Sequence, residues 1–242
     1  MRYGLISDIH GNLEALSVVI KELEKRNVDA VLCLGDIIGY GPDPEECVNL
    51  VKRHANVILA GNHDYAALGL LDIRYFNPHA RRAIEWTASQ ISEATRKFLK
   101  ERPLMRVYDD FTIVHATPAE PEKWNYILSL EDAAENFDHF QNQVCFIGHS
   151  HVPVIIARDE QGKISVRKGN EIELQDKEKY IINIGSVGQP RDLDPRAAFA
   201  IFDAERKHYE LVRVPYDVKT TQQKILQQGL PFFLAERLEK GQ

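Results

Sequence analysis

The sequence predicts an α/β fold in which two sheets pack together as one sandwich. In residues 1–60, short apolar runs alternate with amphipathic stretches, and this β-α-β-α-β order is typical of a parallel sheet covered on both faces. From residue 152 onward, successive short apolar segments separated by turn candidates predict a second, antiparallel sheet. The chain has 242 residues and shows neither an internal repeat nor a linker, which favours a single domain over residues 1–242.

The elements of the first half follow from apolar periodicity. Leu13, Leu16 and Leu23 recur at helical spacing and lie on one face of a predicted amphipathic helix. Asn77 and Pro78 are a typical N-cap and first-turn pair within a stretch that is predicted to be helical. In order, the sequence predicts a strand at residues 3–7, a helix at 12–25, a strand at 30–34, a helix at 44–53, a strand at 56–60 and helical structure at 62–102.

The elements of the second half are mostly short strands. Asp109 and Asp110 lie between two apolar runs and indicate a hairpin. Gly229 and Pro231 separate the last two predicted helices. The sequence predicts strands at 106–108 and 112–115, a helix at 130–140, strands at 144–147, 152–157, 163–167, 180–184, 197–203 and 208–214, and helices at 220–228 and 232–240.

The composition excludes several classes of protein. A formal net charge of -6, without a stripe of Lys or Arg, argues against an extended nucleic acid as partner. The sequence contains no apolar run of membrane-spanning length and no recognisable leader, so we expect a cytoplasmic protein without a membrane partner. Cys33, Cys47 and Cys145 have neither disulfide nor zinc spacing, and we expect them to be buried apolar residues in a reducing compartment.

The most informative feature is the position of polar residues at the ends of predicted strands. Five apolar runs are each followed by Asp, Asn or His, and the carboxyl ends of strands in open α/β sheets are where ligands bind. One histidine at a strand end is more often structural than a ligand, but five of the nine histidines lie in such positions. The residues concerned are Asp8, His10, Asp36, Asn62, His63, His115, His149 and His151.

This set of side chains suits a pair of metal ions. Two divalent ions about 3.5–4 Å apart can clamp a phosphate and activate water, and a carboxylate can bridge them through its two oxygens. Mixed Asp, His and Asn ligands favour Mn²⁺, Fe or Zn²⁺ over Ca²⁺ or Mg²⁺. We therefore expect two divalent ions as cofactors, Mn²⁺ foremost, with Fe, Zn²⁺ or Ni²⁺ as alternatives.

These motifs resemble the five signature blocks of the calcineurin-like metallophosphoesterases. The resemblance implies a four-layer α/β/β/α sandwich, in which two mixed sheets are flanked by helices. Residues 35–42 and 185–192 are similar to the compact bacterial and archaeal branch of that superfamily, so the resemblance covers nearly the whole chain. The five blocks are Asp8-Ile9-His10-Gly11-Asn12, Gly35-Asp36, Gly61-Asn62-His63-Asp64, His115 and Gly148-His149-Ser150-His151.

The resemblance also implies a role for each residue in an in-line attack on phosphorus by a hydroxide held between two metal ions. Asp36 would bridge the two ions. His63 would protonate the leaving oxygen or stabilise its charge, and Asp64 would orient His63 or cap the following helix. The first ion would be held by Asp8, His10 and His151, and the second by Asn62, His115 and His149.

One departure from the family's sequence pattern narrows the class of substrate. Protein Ser/Thr phosphatases of the superfamily carry an Asp-Arg pair shortly after the bridging aspartate, whereas this chain has Ile37-Ile38-Gly39-Tyr40. This difference argues against a protein substrate. Arg191 or Arg196 could supply a cation to the phosphate instead, and for each the alternative is a structural or surface ion pair, which is favoured for Arg196.

The resemblance implies a binuclear metal-dependent phosphoric ester hydrolase. A phosphodiesterase acting on small phosphodiesters or nucleotides is the first choice, and dinucleotide polyphosphates are candidate substrates. A phosphomonoesterase is the main alternative. A further alternative is a non-catalytic interaction scaffold on the same fold, as in the retromer subunit that resembles this family, but all the expected ligands are present here.

Two segments allow two interpretations each. Residues 117–130 contain Trp124, Asn125 and Tyr126, and this loop either borders the substrate or packs on the core, the second being favoured. The helical region at residues 77–102 either covers the site or forms a dimer face, so a homo-oligomer is a further prediction.

Overall fold

The structure is a computed structural model that describes residues 1–242, and it contains two six-stranded sheets. The first sheet has, in order across it, β3 (Val57–Ile58), β2 (Ala30–Cys33), β1 (Arg2–Ile6), β11 (Ala197–Asp203), β12 (His208–Val214) and β9 (Glu171–Glu173). The second has β4 (Met105–Val107), β5 (Phe111–Val114), β6 (Val144–Ile147), β10 (Lys179–Asn183), β7 (Val154–Arg158) and β8 (Ile164–Arg167).

Both sheets mix parallel and antiparallel pairs. In the first sheet β1, β2 and β3 are parallel, as predicted, while β11 pairs antiparallel with β1 and places Ala200 opposite Leu5. In the second sheet β5, β6 and β10 are parallel, and β4, β7 and β8 join antiparallel. The predicted division into a parallel N-terminal sheet and an antiparallel C-terminal sheet is therefore wrong. The strands β11 and β12 return to complete the first sheet, and the short polar strand β9 was not predicted.

The chain contains eight α-helices. They are α1 (Leu13–Lys25), α2 (Pro44–His54), α3 (Asn62–Ala67), α4 (Pro78–Gln90), α5 (Glu93–Lys100), α6 (Leu130–Asn136), α7 (Val218–Gln227) and α8 (Phe232–Lys240). The predicted helical stretch at residues 62–102 is three helices, with a 3₁₀ turn at Ile73–Tyr75 between α3 and α4. None of the helices combines the length and the apolar character needed to cross a lipid bilayer.

Successive side chains of each strand point to opposite faces of the sheet, and this alternation produces the layers of the sandwich. Leu5 of β1 points into an apolar cluster shared with Phe146 of β6 and Phe202 of β11, so this cluster lies between the two sheets. The neighbouring residue Ile6 points the other way, into a cluster with residues of α1 and α2. A third cluster joins the second sheet to α6. The arrangement is therefore the four-layer α/β/β/α sandwich that the resemblance implies.

The three cysteines are buried and free. Cys33 and Cys47 belong to the cluster between the first sheet and its helices, and Cys145 belongs to the cluster between the second sheet and α6. Burial raises the pKa of all three thiols, which keeps them protonated. They act as apolar packing residues, as the sequence predicts.

Candidate metal centre

The eight polar residues predicted from strand ends lie together where the two sheets meet. They follow β1, β2, β3, β5 and β6, and all eight are less than 9% exposed. Charged and imidazole side chains are seldom buried in such numbers unless they bind one another or a ligand. The residues are Asp8, His10, Asp36, Asn62, His63, His115, His149 and His151.

The donor atoms form two groups that share one carboxylate. The first group consists of Asp8, His10, Asp36 and His151, and the second of Asp36, His115 and His149. Within each group the donor atoms lie within 4.8 Å of one another. Asp36 belongs to both groups, because its Oδ2 atom lies 3.6 Å from Nε2 of His10 and 3.4 Å from Nε2 of His115.

In the first group two imidazole nitrogens face each other. Nε2 of His10 lies 3.0 Å from Nε2 of His151, and Nε2 of His151 lies 3.3 Å from Oδ1 of Asp8. Atoms bound to one metal ion at about 2.0–2.2 Å are separated from each other by distances of this order. The donor set therefore fits a transition-metal ion.

In the second group the amide of Asn62 joins the imidazoles. Oδ1 of Asn62 lies 3.3 Å from Nε2 of His115. Nε2 of His149 lies 2.9 Å from the carbonyl oxygen of Trp124, so donation of its N–H to that oxygen leaves Nδ1 without a proton. An amide oxygen, a carboxylate oxygen and two imidazoles again form a set that suits a divalent ion.

Backbone carbonyls hold the other nitrogen of each imidazole. Nδ1 of His10 lies 3.2 Å from the carbonyl oxygen of Ile38, and Nδ1 of His115 lies 3.0 Å from that of Leu34. Nδ1 of His151 lies 2.7 Å from the carbonyl oxygen of Gln189. A ring N–H that donates to a carbonyl fixes the tautomer, so the lone pair of the opposite nitrogen is presented to the site.

The backbone at the site is unusual. Five of the eight residues have positive φ angles, a conformation that is uncommon for any residue other than glycine, although Asp and His adopt it more often than most. Strained backbone of this kind is common at functional sites, where surrounding contacts maintain it. The residues and their φ angles are Asp8 (54°), His10 (50°), Asp36 (52°), His149 (66°) and His151 (62°).

The electrostatics of the cluster favour a cation. Burial acts to raise the pKa of Asp36, but the imidazoles of His115 and His63 outweigh it and hold that pKa well below its usual range. Burial likewise acts to lower the pKa of His115, yet the Asp36 and Asp8 carboxylates raise it to about 9. The same buried negative charge that stabilises a proton on His115 would attract a metal ion.

Asp64 supports the backbone around Asp36. Its carboxylate accepts hydrogen bonds from the N–H groups of Asp36 (2.9 Å), Ile37 (3.1 Å), Ile38 (3.2 Å) and Gly61 (2.9 Å). Burial, followed by the charge of Asp36, raises the pKa of Asp64 to about 7. Asp64 makes no hydrogen bond to the ring of His63, so of the two roles suggested by the sequence the structure supports the helix cap and not the orientation of His63.

The His63 ring lies beside the donor groups without a hydrogen-bond partner. Its Nδ1 atom is enclosed and unpaired, and the ring packs against Tyr40 and His10 at centroid distances of 4.3 and 4.8 Å. Gly39 makes this packing possible, because a Cβ atom there would lie 2.6 Å from Nδ1 of His63 and its φ angle is 92°. Burial lowers the pKa of His63 to about 4.

The two candidate arginines have different surroundings. Arg191 donates to the side-chain oxygen of Gln189 at 2.8 and 3.3 Å and stacks over Tyr40, with no carboxylate as partner. Its backbone N–H donates to the carbonyl oxygen of His151 at 3.3 Å, so it lies close to the cluster, and its charge contributes to lowering the pKa values of both His63 and His151. Arg196 instead forms a bidentate ion pair with Asp194.

The structure also brings together aromatic residues that sequence reasoning did not assign to the site. The loop at residues 117–130 is predicted to pack on the core, and Ile127 does so in the cluster between the second sheet and α6, but Trp124 and Tyr126 of the same loop line a cavity beside the site. Tyr126 stacks on His149 at 3.9 Å. Tyr75 and Phe76 line the same cavity, and no sequence motif marked them.

The comparisons with known proteins agree with this geometry. A solved metallophosphoesterase from Sphaerobacter thermophilus is 41% identical, with a TM-score of 0.89, and the match covers 100% of this chain and 99% of that one. An uncharacterised protein of Methanocaldococcus jannaschii is 40% identical, over 98% of this chain and 97% of its own length. A symmetrical bis(5'-nucleosyl)-tetraphosphatase of Aliivibrio fischeri is 28% identical over 54% of this chain and 49% of that enzyme, so this chain matches about half of its length.

The family assignment rests on a match along most of the chain. The model of the calcineurin-like phosphoesterase superfamily domain matches residues 1–207, a span that includes every donor residue described above. The four-layer fold and the His/Asp cluster are both consistent with that match. The chain therefore belongs to the calcineurin-like phosphoesterase superfamily and is a metallophosphoesterase by family.

Proposed function

We propose that residues 1–242 form a single metallophosphoesterase domain that hydrolyses small phosphodiesters with two divalent metal ions. Mn²⁺ is the favoured metal, and Fe, Zn²⁺ and Ni²⁺ suit the same imidazole-rich donors. The first ion would be held by Asp8, His10, Asp36 and His151, and the second by Asp36, Asn62, His115 and His149.

One observation carries this proposal. Oδ2 of Asp36 lies within 3.6 Å of an imidazole nitrogen from each donor group, so a single carboxylate faces both candidate metal positions. A shared carboxylate can bridge a pair of ions about 3.5–4 Å apart. When bound, such a pair supplies an activated water and positive charge for the phosphate oxygens.

The chain's own residues provide the remaining functions. His63 lies in the wall of the cavity with neither ring nitrogen in a hydrogen bond, so a ring N–H is free to donate a hydrogen bond to a leaving oxygen and stabilise its charge. The guanidinium of Arg191 has only the neutral side chain of Gln189 as hydrogen-bond partner, so it is free to contact a phosphate oxygen. Asp64 maintains the loop that carries Asp36.

Nucleotides, dinucleotide polyphosphates among them, are the physiological substrates that we favour. The tetraphosphatase relatives support this choice, although they match only about half of the chain. The net charge of -6 is consistent with a small-molecule substrate rather than an extended nucleic acid. A cytoplasmic location and a homo-oligomeric state stay predictions of the sequence.

The test is a panel of phosphoesters measured with and without added metal. An aryl diester, an aryl monoester, a cyclic nucleotide and diadenosine tetraphosphate are each incubated with Mn²⁺ and the wild-type chain. We expect diester turnover that depends on metal and exceeds monoester turnover. The reverse order of rates would favour a phosphomonoesterase, and no turnover of any ester with Mn²⁺, Fe²⁺, Zn²⁺ or Ni²⁺ would favour the non-catalytic scaffold.

A further inference from the structure

A cavity of about 440 Å³ opens directly beside the candidate metal centre. Its wall includes Asn62, His63 and His149, so it is continuous with the site. Small-molecule pockets typically have volumes of roughly 300–1,000 Å³. The cavity is therefore large enough for a substituent of the phosphoester and not only for the phosphate.

Aromatic rings from two chain segments extend from the site into this cavity. Phe76 follows the 3₁₀ turn at Ile73–Tyr75, and its ring centroid lies 5.5 Å from that of His63. Tyr126 stacks on His149 with a centroid distance of 3.9 Å and an interplanar angle of 17°. Phe76 and Tyr126 thus contact two residues of the site, and both also line the cavity beside it.

Some of these rings have surface that is free to bind a ligand. Trp124 is 8% exposed and is already packed against Tyr65 and His115. Tyr75 is 88% exposed and Tyr126 is 46% exposed, although both line the cavity. Exposed tyrosine rings beside a cavity offer flat apolar surface on which a planar group can stack.

The edge of the cavity also carries an unused hydrogen-bond donor. Oδ1 of Asn77 accepts the N–H of Ala80 at 2.9 Å and caps α4, which leaves the exposed side-chain NH₂ of Asn77 available to a ligand. A nucleobase presents acceptor nitrogens and oxygens at its edge, whereas a plain phenyl group does not. Stacking surface together with an edge donor favours a nucleobase as the occupant.

The position of His63 indicates which part of the substrate enters. His63 lines the cavity and is the residue proposed to contact the leaving oxygen, whereas Arg191 does not line it. The departing group therefore enters the cavity, and the phosphate stays with the donor cluster.

We propose that the cavity is a nucleoside subsite, formed by Tyr75, Phe76, Trp124 and Tyr126, that binds the leaving side of a nucleotide ester. This inference rests on the proposed phosphodiesterase function. In the reaction of a nucleoside 5'-phosphodiester, water adds its oxygen to phosphorus, the bond between phosphorus and O5' of the nucleoside breaks, and O5' takes up a proton that the water loses.

The test compares two diesters that differ only in the base. Adenosine 5'-(methyl phosphate) and the base-less 1-O-methylribose 5-(methyl phosphate) have similar leaving alcohols. We expect the wild-type kcat/KM for the adenosine ester to exceed that for the base-less ester by about tenfold or more, since base stacking on aromatic rings is strong enough for that. The expected products are adenosine and methyl phosphate. Release of methanol and adenosine monophosphate would overturn the orientation.

Variants of an exposed ring separate stacking from folding. Tyr75→Ala should reduce the ratio of the two kcat/KM values about tenfold, mainly through KM, and Tyr75→Phe should restore it because the ring is retained. Phe232→Ala removes another exposed aromatic ring, outside the cavity, and should keep the wild-type ratio. An unchanged ratio in Tyr75→Ala, together with wild-type stability, would overturn the subsite.

Direct binding distinguishes failure of this inference from failure of the proposed function. Adenosine and ribose are titrated into the wild-type protein by calorimetry, without any hydrolysis. Adenosine binding that is weakened by Tyr75→Ala, with no ribose binding, supports the subsite even if none of the esters is cleaved. Hydrolysis of both diesters without detectable adenosine binding would leave the phosphodiesterase in place and overturn the subsite.

Discussion

The carboxylate of Asp64 accepts the backbone N–H of Asp36 at 2.9 Å, while Oδ1 of Asp36 accepts the backbone N–H of His63 at 2.8 Å. The loop after β2 and the first turn of α3 therefore hold each other in place through two aspartates. Asp36 uses one carboxylate oxygen for this contact and points the other, Oδ2, at the imidazoles of both donor groups. The position of the shared carboxylate thus depends on Asp64.

Replacing Asp64 should damage stability and metal binding together. In Asp64→Asn, one carboxylate oxygen becomes an NH₂ group that cannot accept the N–H groups now bonded to it, so buried donors lose their partners. We expect a loss of roughly 2–4 kcal/mol in the free energy of unfolding, measured by urea denaturation, and weaker Mn²⁺ binding.

The matched control for this change is Asp110→Asn in an exposed turn. It should alter the free energy of unfolding by less than about 0.5 kcal/mol. If Asp64→Asn were as stable as this control and bound metal normally, the supporting role of Asp64 would be wrong.

Removing the Asp36 carboxylate should weaken the binding of both metal ions, whereas removing the Asn62 amide should weaken the binding of one. We expect Asp36→Ala to lose both bound ions and to reduce diester hydrolysis by more than about 100-fold. Asn62→Ala should weaken only the second ion, because Asn62 contacts His115 and not the first group. Metal titrations followed by calorimetry measure both stoichiometries, and retention of one tight site in Asp36→Ala would contradict a bridging role.

A methyl group at Gly61 should displace both the side chain and the backbone of Asp36, since its Cβ atom would lie 2.4 Å from the backbone nitrogen of Asp36. A Cβ atom at this position would lie 2.0 Å from Oδ1 of Asp36, while the φ angle of -109° suits any residue. We expect Gly61→Ala to lose metal affinity. Gly162→Ala, in an open turn at a φ angle of 81°, should cost about 1 kcal/mol of folding stability and leave metal binding unchanged. Equal metal affinity in the two variants would argue against this steric account.

Metal ions should stabilise the folded chain, because the donor groups converge only in the native state. At 100 times the dissociation constant, Mn²⁺ should add about 2.7 kcal/mol to the free energy of unfolding. The thermal midpoint is measured with chelator, with Mn²⁺ and with Ca²⁺, which prefers oxygen ligands and should have less effect. Stabilisation of Asp36→Ala by Mn²⁺ as large as that of the wild type would show binding elsewhere.

The two arginines should behave differently towards a phosphoester. Arg191→Ala should raise KM about tenfold, and Arg191→Lys should recover part of the loss because lysine keeps the charge but not the planar fork. Arg196→Ala removes an exposed ion pair with Asp194 and should leave KM unchanged. Equal effects of the two alanine variants on KM would remove Arg191 from the substrate site.

The local parts of the fold and site were predictable from the sequence. Polar residues placed directly after apolar runs identified all eight residues of the cluster, because the carboxyl end of a strand fixes where its next residues lie. Helix α1 was recognised from periodic leucines, and the structure shows Asn12 as its N-cap. These features depend on a few neighbouring residues.

The long-range parts were not predictable. β11 resembles any buried strand, and its pairing with β1, almost 200 positions away, depends on cross-sheet packing that a local pattern does not encode. The role of Asp64 was equally hidden, since its partners Ile37 and Ile38 come from another loop. Tyr75 and Phe76 approach the site only because the turn before α4 passes over it.

The central position of β1 has a consequence for the order in which the molecule assembles. Asp8 is held on one side by the loop after β2 and on the other by Gly188, whose N–H donates to the carbonyl oxygen of Asp8 at 2.9 Å. Synthesis on the ribosome releases these partners at very different times, and contacts of such long separation in sequence form slowly. We expect β1 of the nascent chain to lack its partner β11 until residues beyond 200 have emerged. The chain should therefore become able to bind metal late in synthesis and in a single step.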